Sequence, residues 1–500
     1  MNRTGQTAGI SVREALRTTS ESCLEVVDDR RRRLVKIYWL VVLLVVVILI
    51  VPIWVVTYPG MVDYPNHLAR CFILAHFSDN PVWQQRYSVL HDPLPNLAID
   101  LLVVPLTRIF SVMTSGKIFL TFAAIIYVAG CIFLGYVATG RKSWIALLAA
   151  FTFYNSALLY GFVNYIFGLG VFLIAFAFWM DSRHRMSLLR FVGCSALSLV
   201  AYLSHLSSIA FLVLSCLTIA LAELYSHRRF LLFTRQLAWV IFPIGLMVTF
   251  MKGSGSVGRV EWAPLSQKAI HLLTPIRGYS LATDISLLAV LLACFAVSIG
   301  RIKLQKIAIA GCVMYFLFLI TPEGLFTGSA VDARYVMPGF LLILLSMKVL
   351  ESRTHWVVFT IAFLAMLFHT ADITWNWINI SHREQQVLQM GDILPKDSRV
   401  YVLHPPPGRS SAKRDRGFLH VVTLWTITHE AFVSTLFSSP GMQPLVARKP
   451  PCDASAWMDC LSDFDYVWTD GIAMDTEQKI SQIAAPAAQW ESVTLWKIRH

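Results

Sequence analysis

Pro95-Asn96-Leu97-Ala98-Ile99-Asp100-Leu101-Leu102-Val103-Val104-Pro105-Leu106-Thr107-Arg108-Ile109-Phe110-Ser111-Val112 is the stretch on which the threading of this chain turns. It approaches the roughly 20 apolar residues that a membrane-crossing helix needs, but it carries Asp100, Pro105 and Arg108. Around it lie eleven purer apolar runs: 37–56, 117–138, 143–159, 162–180, 189–205, 207–225, 231–252, 283–299, 304–320, 335–351 and 355–375. Were 95–112 a twelfth crossing, every later connection would change sides. The basic residues argue against it. Arg30 to Arg33 with Lys36, Arg141-Lys142, Arg183 to Arg190, Arg228-Arg229 with Arg235, Arg301 to Lys306, and Lys348 with Arg353 fall on one side only if 95–112 does not cross. Eighteen Lys and Arg then lie near cytoplasmic ends, against nine in the outer loops before the tail. That is the bias of membrane proteins, so 95–112 is expected to lie on, or dip into, the outer face.

Composition points the same way. The chain has 500 residues, 56% hydrophobic and only 14% charged, with a mean hydropathy of +0.60. A soluble domain carries about 25% charged residues. This arithmetic excludes a soluble enzyme, a disordered chain and a DNA-binding protein. The net charge of +12 is the basic excess of cytoplasmic loops, and no nucleic-acid partner is expected. Polar residues 1–30 do not look like a cleavable signal, and 37–56 suits an uncleaved first span.

The expected fold is an all-α polytopic membrane protein of about eleven transmembrane helices with a small C-terminal α/β domain. Residues 1–36 form a cytoplasmic segment and 37–377 the transmembrane domain, with a first outer loop at 57–116. Residues 378–500 form a periplasmic α/β domain, with strands at Arg399-Val400-Tyr401-Val402-Leu403, Phe464-Asp465-Tyr466-Val467-Trp468 and Ser492-Val493-Thr494-Leu495-Trp496. This orientation places the protein in the inner (cytoplasmic) membrane, N-terminus in and C-terminus out. Cys131, Cys194, Cys216, Cys294 and Cys312 lie in apolar runs and behave as small hydrophobes. Cys452 and Cys460 lie in the polar tail, where a disulfide is open to them.

The long loops, 57–116, 253–282 and 321–334, all fall on the outer side, so the chemistry is expected there. The first begins Tyr58-Pro59-Gly60-Met61-Val62-Asp63-Tyr64-Pro65-Asn66-His67-Leu68-Ala69-Arg70. Pro65 and Asp63 fit a helix start, and Asp63, His67 and Arg70 would then share a face. Three roles are open to Asp63: a helix cap, a general base beside apolar walls, or, with His67, a ligand to a divalent metal such as Mg or Mn. Further on, Asp92 of His91-Asp92-Pro93-Leu94 is a second catalytic candidate, since paired carboxylates suit metal-assisted transfer from a phosphate. The plainer reading is a turn. His67, Arg70 and His91 are candidates for substrate binding.

Arg334, beside Tyr335 where the third loop enters a span, could grip a phosphate with its planar fork; both could instead be interfacial anchors. Arg259, Lys268, His271 and Arg277 make the second loop basic, and Gly253, Gly255 and Gly258 loosen its start. It could close over an anionic donor or be a solvated linker. Asn155 and Asn164, among Tyr154, Tyr160 and Tyr165, suit sugar binding, although Tyr at an interface is ordinary. No HExxH or GxSxG motif occurs. Charges within the spans are almost absent, which weighs against an ion-coupled carrier.

The layout resembles the membrane glycosyltransferases of the GT-C fold, in particular protein O-mannosyltransferases and lipid A aminoarabinose transferases. Those families have one span, then a long outer loop with an early Asp, then a His-Pro-Pro-Leu or Glu-Lys-Pro motif leading into a membrane-surface helix. Asp63 matches the early Asp, and His91-Asp92-Pro93-Leu94 matches the second motif loosely. The likeness covers 37 to about 375 in layout and 60–100 in motif. Asp-Tyr-Pro-Asn-His stands where many members have Asp-Glu followed by Tyr, and Asp92 stands where Pro or Lys is usual. The resemblance implies transfer of a sugar from a polyprenyl-phosphate donor, a membrane lipid, to an extracytoplasmic acceptor: lipid A, a polysaccharide or a protein. It implies Asp63 as base or metal ligand, with Asp92 near the second polar position. Position and chemistry suggest Arg334 for the lipid phosphate. The alternatives are a transporter or lipid-translocating protein, and a non-catalytic assembly factor for envelope polysaccharide.

Overall fold

A computed structural model describes residues 12–250, 259–326, 328–350, 352–403, 419–438, 443–449 and 457–499. The chain divides into two compact units, 1–47 and 48–500. The first holds most of one helix, Val12–Val55. The polar residues from 12 onward therefore already belong to the helix that becomes apolar from Arg32.

Among the described residues, six helices are long and apolar enough to cross a membrane: Arg32–Val55, Val112–Thr139, Val163–Arg185, Leu206–His227, Leu281–Arg301 and Arg353–Ile393. Five shorter apolar helical segments accompany them: Ile145–Leu159, Leu188–Ser204, Phe230–Leu246, Ile307–Ile320 and Ala333–Leu345. Each expected apolar run has its helical segment. Stretch 95–112 does not become a twelfth. Its helix is Ala98–Leu106, about 14 Å at 1.5 Å per residue, against a hydrocarbon core of about 30 Å. Its start is tied to the ends of two longer helices: Leu97 N–H donates to Leu203 O (2.7 Å), and Ile99 N–H to Asn164 Oδ1 (2.8 Å).

These ties sort the connections into two ends. At one end the first long loop meets the turns at 159–164 and 203–206 and Tyr279 of the second loop, whose hydroxyl donates to Gly60 O (2.6 Å). At the other end lie the basic connections. Ile302–Leu304 pairs antiparallel with Met347–Val349, Arg141 bonds the Val349 carbonyl, and Arg183 pairs with Glu223. Between the two ends, Val112–Thr139 and Val163–Ser182 pack closely through glycine. A Cβ on Gly130 would lie 2.8 Å from Gly170 O, the close approach that small residues permit between spanning helices.

The helix from Arg353 runs unbroken to Gln389, so the boundary expected at 377/378 falls inside it. Beyond it a five-stranded mixed sheet has the order Ala484–Trp490, Val493–Ile498, Tyr466–Asp470, Arg399–Leu403, Phe432–Val433. The three expected strands are present, one of them at its stated bounds. Ala484–Trp490 was not foreseen: it is an edge strand, and Pro486 sits at its register shift, where a missing N–H is tolerated. The tail also interlocks with the first loop. Tyr87–Val89 pairs antiparallel with Leu445–Ala447, and Ala69, Ile73, Trp83 and Tyr87 share a core with Leu436 and Leu445. Cys460 is disulfide-bonded; Cys452 lies outside the described residues.

Candidate active site

The helix Tyr64–His76 starts where Pro65 and Asp63 indicate. Asp63 holds the N-cap position, but its side chain makes no capping hydrogen bond. Its carboxylate, 20% exposed, faces His420, whose Nε2 lies 3.5 Å from Oδ1. Burial pushes the Asp63 pKa up to about 7, because desolvation disfavours the charged form. The backbone is held from behind: Val62 N–H donates to Leu159 O (3.1 Å) and Asp63 N–H to Tyr160 O (3.0 Å). Gly161 completes that turn at φ +89°, and a Cβ there would lie 2.6 Å from Asp63 N. Only glycine serves at this position.

One helical turn on, His67 Nδ1 lies 3.2 Å from an Arg70 guanidinium nitrogen. Burial first, then the Arg70 and His420 charges, pull the His67 pKa well below its usual value, while a hydrogen bond to the Gly161 backbone opposes them. The ring is therefore neutral, with Nδ1 accepting from Arg70. Arg70 is fully buried and forms a two-pronged pair with Asp100 of the Ala98–Leu106 helix, at 2.8 Å on each oxygen. Its remaining amine bonds Gln443. Tail residues cover this face. Asn66 Nδ2 donates to Thr435 O (2.9 Å) and Asn66 Oδ1 accepts from Phe437 N–H (2.8 Å). The Phe437 ring stands edge-on to both His67 and His420, with centroids 5.5 Å away in each case.

Arg334 meets the same turn at Phe162. Its guanidinium carbon sits 5.5 Å from the centroid of the Phe162 ring, its carbonyl accepts from the Tyr165 hydroxyl (2.8 Å), and one amine donates to Ser329 O (3.1 Å). No carboxylate pairs with it among the described residues, and its Nε is buried without a hydrogen bond. Residues 160–162 thus touch both Asp63 and Arg334. A small cleft opens beside Tyr160, lined also by Gly60, Val62, Arg277, Tyr279 and Asp284.

Asp63, His67 and Arg70 do share one face, but Arg70 is corrected from substrate ligand to structural cation: it has no exposed surface and each of its three nitrogens has a partner. Asn155 and Asn164 are corrected likewise. Asn155 caps the helix Ser156–Leu159 through Oδ1 and donates to Thr152 O and Phe153 O. Asn164 receives Ile99 N–H and donates to Asn96 O (2.5 Å), pinning the short Ala98–Leu106 helix. His91 and Asp92 are exposed in a turn, and Leu94 N–H returns to Asp92 O (2.8 Å). No side-chain bond ties either to the Asp63 cluster. Tyr335 stands edge-on to Phe211 at 5.5 Å. Arg259 begins the strand Arg259–Glu261, which pairs with Gly324–Phe326; its side chain lies outside the described residues. His67 Nδ1 is taken by the Arg70 guanidinium and is not open to a metal ion. Among the described residues no three His, Cys, Asp or Glu are gathered to hold an ion. Sequence reasoning missed Asp100, His420 and Phe437. For Asp100 the signal was present: a carboxylate in an apolar stretch needs a partner.

The chain aligns with the crystal structure of ArnT from Cupriavidus metallidurans bound to undecaprenyl phosphate, with a TM-score of 0.52 and 10% identity, over 92% of this chain and 97% of that one. At this identity the likeness is one of fold, and the chain has a GT-C-like fold with multiple membrane-spanning helices and a small C-terminal sheet. No protein-family model matches the chain, and no curated protein matches it in sequence.

Proposed function

We propose that this protein is a membrane glycosyltransferase that moves a sugar from a polyprenyl-phosphate donor to an acceptor hydroxyl on the outer face of the inner membrane. The observation that carries the reading is that the turn at 160–162 touches both a desolvated carboxylate and a guanidinium with no carboxylate partner among the described residues: Tyr160 O accepts the Asp63 N–H, and Arg334 lies over the Phe162 ring. Asp63 takes the proton of the acceptor hydroxyl. The acceptor oxygen forms a bond to the anomeric carbon as the bond from that carbon to the phosphate oxygen breaks, and the configuration inverts. The polyprenyl phosphate leaves with the bonding electrons, its charge met by Arg334 and by Arg277, which lines the cleft beside Tyr160. A base of pKa about 7 suits this task, since a catalytic pKa near the working pH is the most effective. Undecaprenyl phosphate bound to a protein of this fold supports the lipid half of the reading.

The test is transfer of a radiolabelled sugar from polyprenyl-phosphate donors to an envelope extract by purified wild type and Asp63→Asn. Transfer by wild type alone, with both proteins folded, supports the reading. Equal transfer by both removes Asp63 from the mechanism. No transfer by either, across several donor sugars, favours lipid translocation or assembly.

A further inference from the structure

The second and third loops, at the end of the bundle away from the basic connections, are tied into one unit. The strand Arg259–Glu261 pairs with Gly324–Phe326, and Gln267 bonds Glu323. The short helix Leu265–His271 turns its polar side inward. Lys268 is buried, and its ammonium donates to Phe318 O (2.9 Å), Thr321 O (3.0 Å) and Asp332 Oδ2 (3.2 Å). Asp332 is fully buried, and His271 Nδ1 lies 3.6 Å from the same oxygen. Phe318 and Thr321 stand at the C-terminal end of the apolar helix Ile307–Ile320, where a cation is favoured. Lys268 thus seats the short helix on the end of an apolar helix of the bundle.

The other side of this helix is apolar and uncovered. Leu265 is 85% exposed, and Trp262, just ahead of the helix, 61%. Val260, Ile270 and Leu272 are exposed as well. In water the polarity would be the reverse, with charges outward and leucines inward. An exposed apolar patch around a buried ion pair marks a contact surface, and its surroundings name the partner. The helix Ile307–Ile320 exposes Phe316, Leu319 and Ile320 in its last turns, beside the carbonyls that Lys268 holds. The apolar side of the loop therefore adjoins the outward face of the bundle, the face that meets lipid chains.

We propose that Trp262, Leu265, Ile270 and Leu272 form a lipid-contact surface: the second loop lies in the membrane surface, with its apolar side against phospholipid chains. An interfacial helix sinks its apolar face about 5–10 Å into the boundary between head groups and chains, and Trp is enriched at that level. Here the charged side points into the protein, where Asp332 and the helix-end carbonyls satisfy it. The loop is then a fixed foot in the membrane and not a solvated linker.

The test is photo-crosslinking of the full-length protein in vesicles of phosphatidylethanolamine and phosphatidylglycerol. Benzoylphenylalanine replaces Leu265, Leu272 or, as the control, Met474, one at a time. Met474 begins the tail helix Met474–Ile483 and matches Leu265 in exposure, at 85%, so exposure alone would label the two equally. Phospholipid adducts, read by mass spectrometry, are expected at 265 and absent at 474. No phospholipid adduct at 265, or as much at 474 as at 265, overturns the proposal. A crosslink from 265 to a second copy of the chain or to another protein, in place of lipid, overturns it too, because the face is then a protein interface. Should the probe at 265 impair folding, position 272 decides by the same comparison.

Discussion

Asp63 sits where burial favours its neutral form, and this has opposite consequences for activity and for stability. With a pKa of about 7 in the fold and about 3.9 in an unfolded chain, the folded protein holds a proton between those values that the unfolded chain has released. Stability from this group is therefore full below about pH 4 and lost as pH rises through about 7. The ionised carboxylate then costs on the order of a few kcal/mol. Activity runs the other way, because the base must be ionised. Transfer at subsaturating substrate should rise about tenfold per pH unit up to about 7 and level off above it. Asp63→Asn should abolish transfer yet unfold at a higher temperature than wild type at pH 8, with the gap closing towards pH 4. Thermal unfolding at the two pH values checks the sign. A lower unfolding temperature for the variant at pH 8 would mean that His420 stabilises the carboxylate more than burial destabilises it. Glu384 has no exposed surface, and among the described residues neither carboxylate oxygen finds a hydrogen-bond partner. Glu384→Gln should raise the unfolding temperature, since it removes an ionisable group that nothing compensates.

The Tyr64–His76 helix shows what spacing can and cannot reveal. Asp63, His67 and Arg70 are three and four residues apart, and helical geometry alone puts them on one face. What that face meets is set by a second element, the Ala98–Leu106 helix. The features that made 95–112 ambiguous are the ones that shape it. Asp100 pairs with Arg70, and Asn96 takes a left-handed φ of 69° where the chain turns into the helix. A charge in an apolar run announces a partner without saying which. Asn155 and Asn164 misled for a related reason: an amide suits a sugar or a backbone equally, and buried backbone at the ends of helices claimed both. The buried pair carries its own prediction. Arg70→Met should cost about 3–5 kcal/mol by leaving Asp100 unpaired, and Asp100→Leu a similar amount. The double variant should recover a large part of the sum, because no charge is then left buried. Denaturant unfolding of the three variants measures this coupling, and simple additivity would contradict it.

At the scale of the whole chain, the apolar runs were legible because each reports on its own segment, and the lengths of helices follow from them. The closing of the site was not, because it depends on pairings between the first loop and the tail that no local pattern encodes. His420 and Phe437 reach Asp63 and His67 only because Tyr87–Val89 pairs with Leu445–Ala447 and because Asn66 grips the backbone at Thr435 and Phe437. The tail expected as a separate α/β module is thus one wall of the candidate active site. Asn66 is the residue at which this arrangement can be taken apart. It is fully buried, and its two bonds, with that of Arg70 to Gln443, are the tail's direct hydrogen-bonded hold on the Tyr64–His76 helix. Asn66→Ala removes both and leaves a Phe437 N–H and a Thr435 carbonyl unpaired, at about 1–3 kcal/mol each. The tail should then open locally while the helical bundle stays folded. Hydrogen exchange in residues 419–438 should rise and the Asp63 carboxylate should gain water, drawing its pKa down towards the ordinary range. Transfer should fall, with its remaining pH profile shifted acidic. Undecaprenyl phosphate binding should be retained, since Arg334 is held by Phe162 and Tyr165 rather than by the tail. Loss of lipid binding together with transfer would mean that the tail supports the phosphate side as well, and an unshifted pH profile would mean that the tail does not set the environment of Asp63.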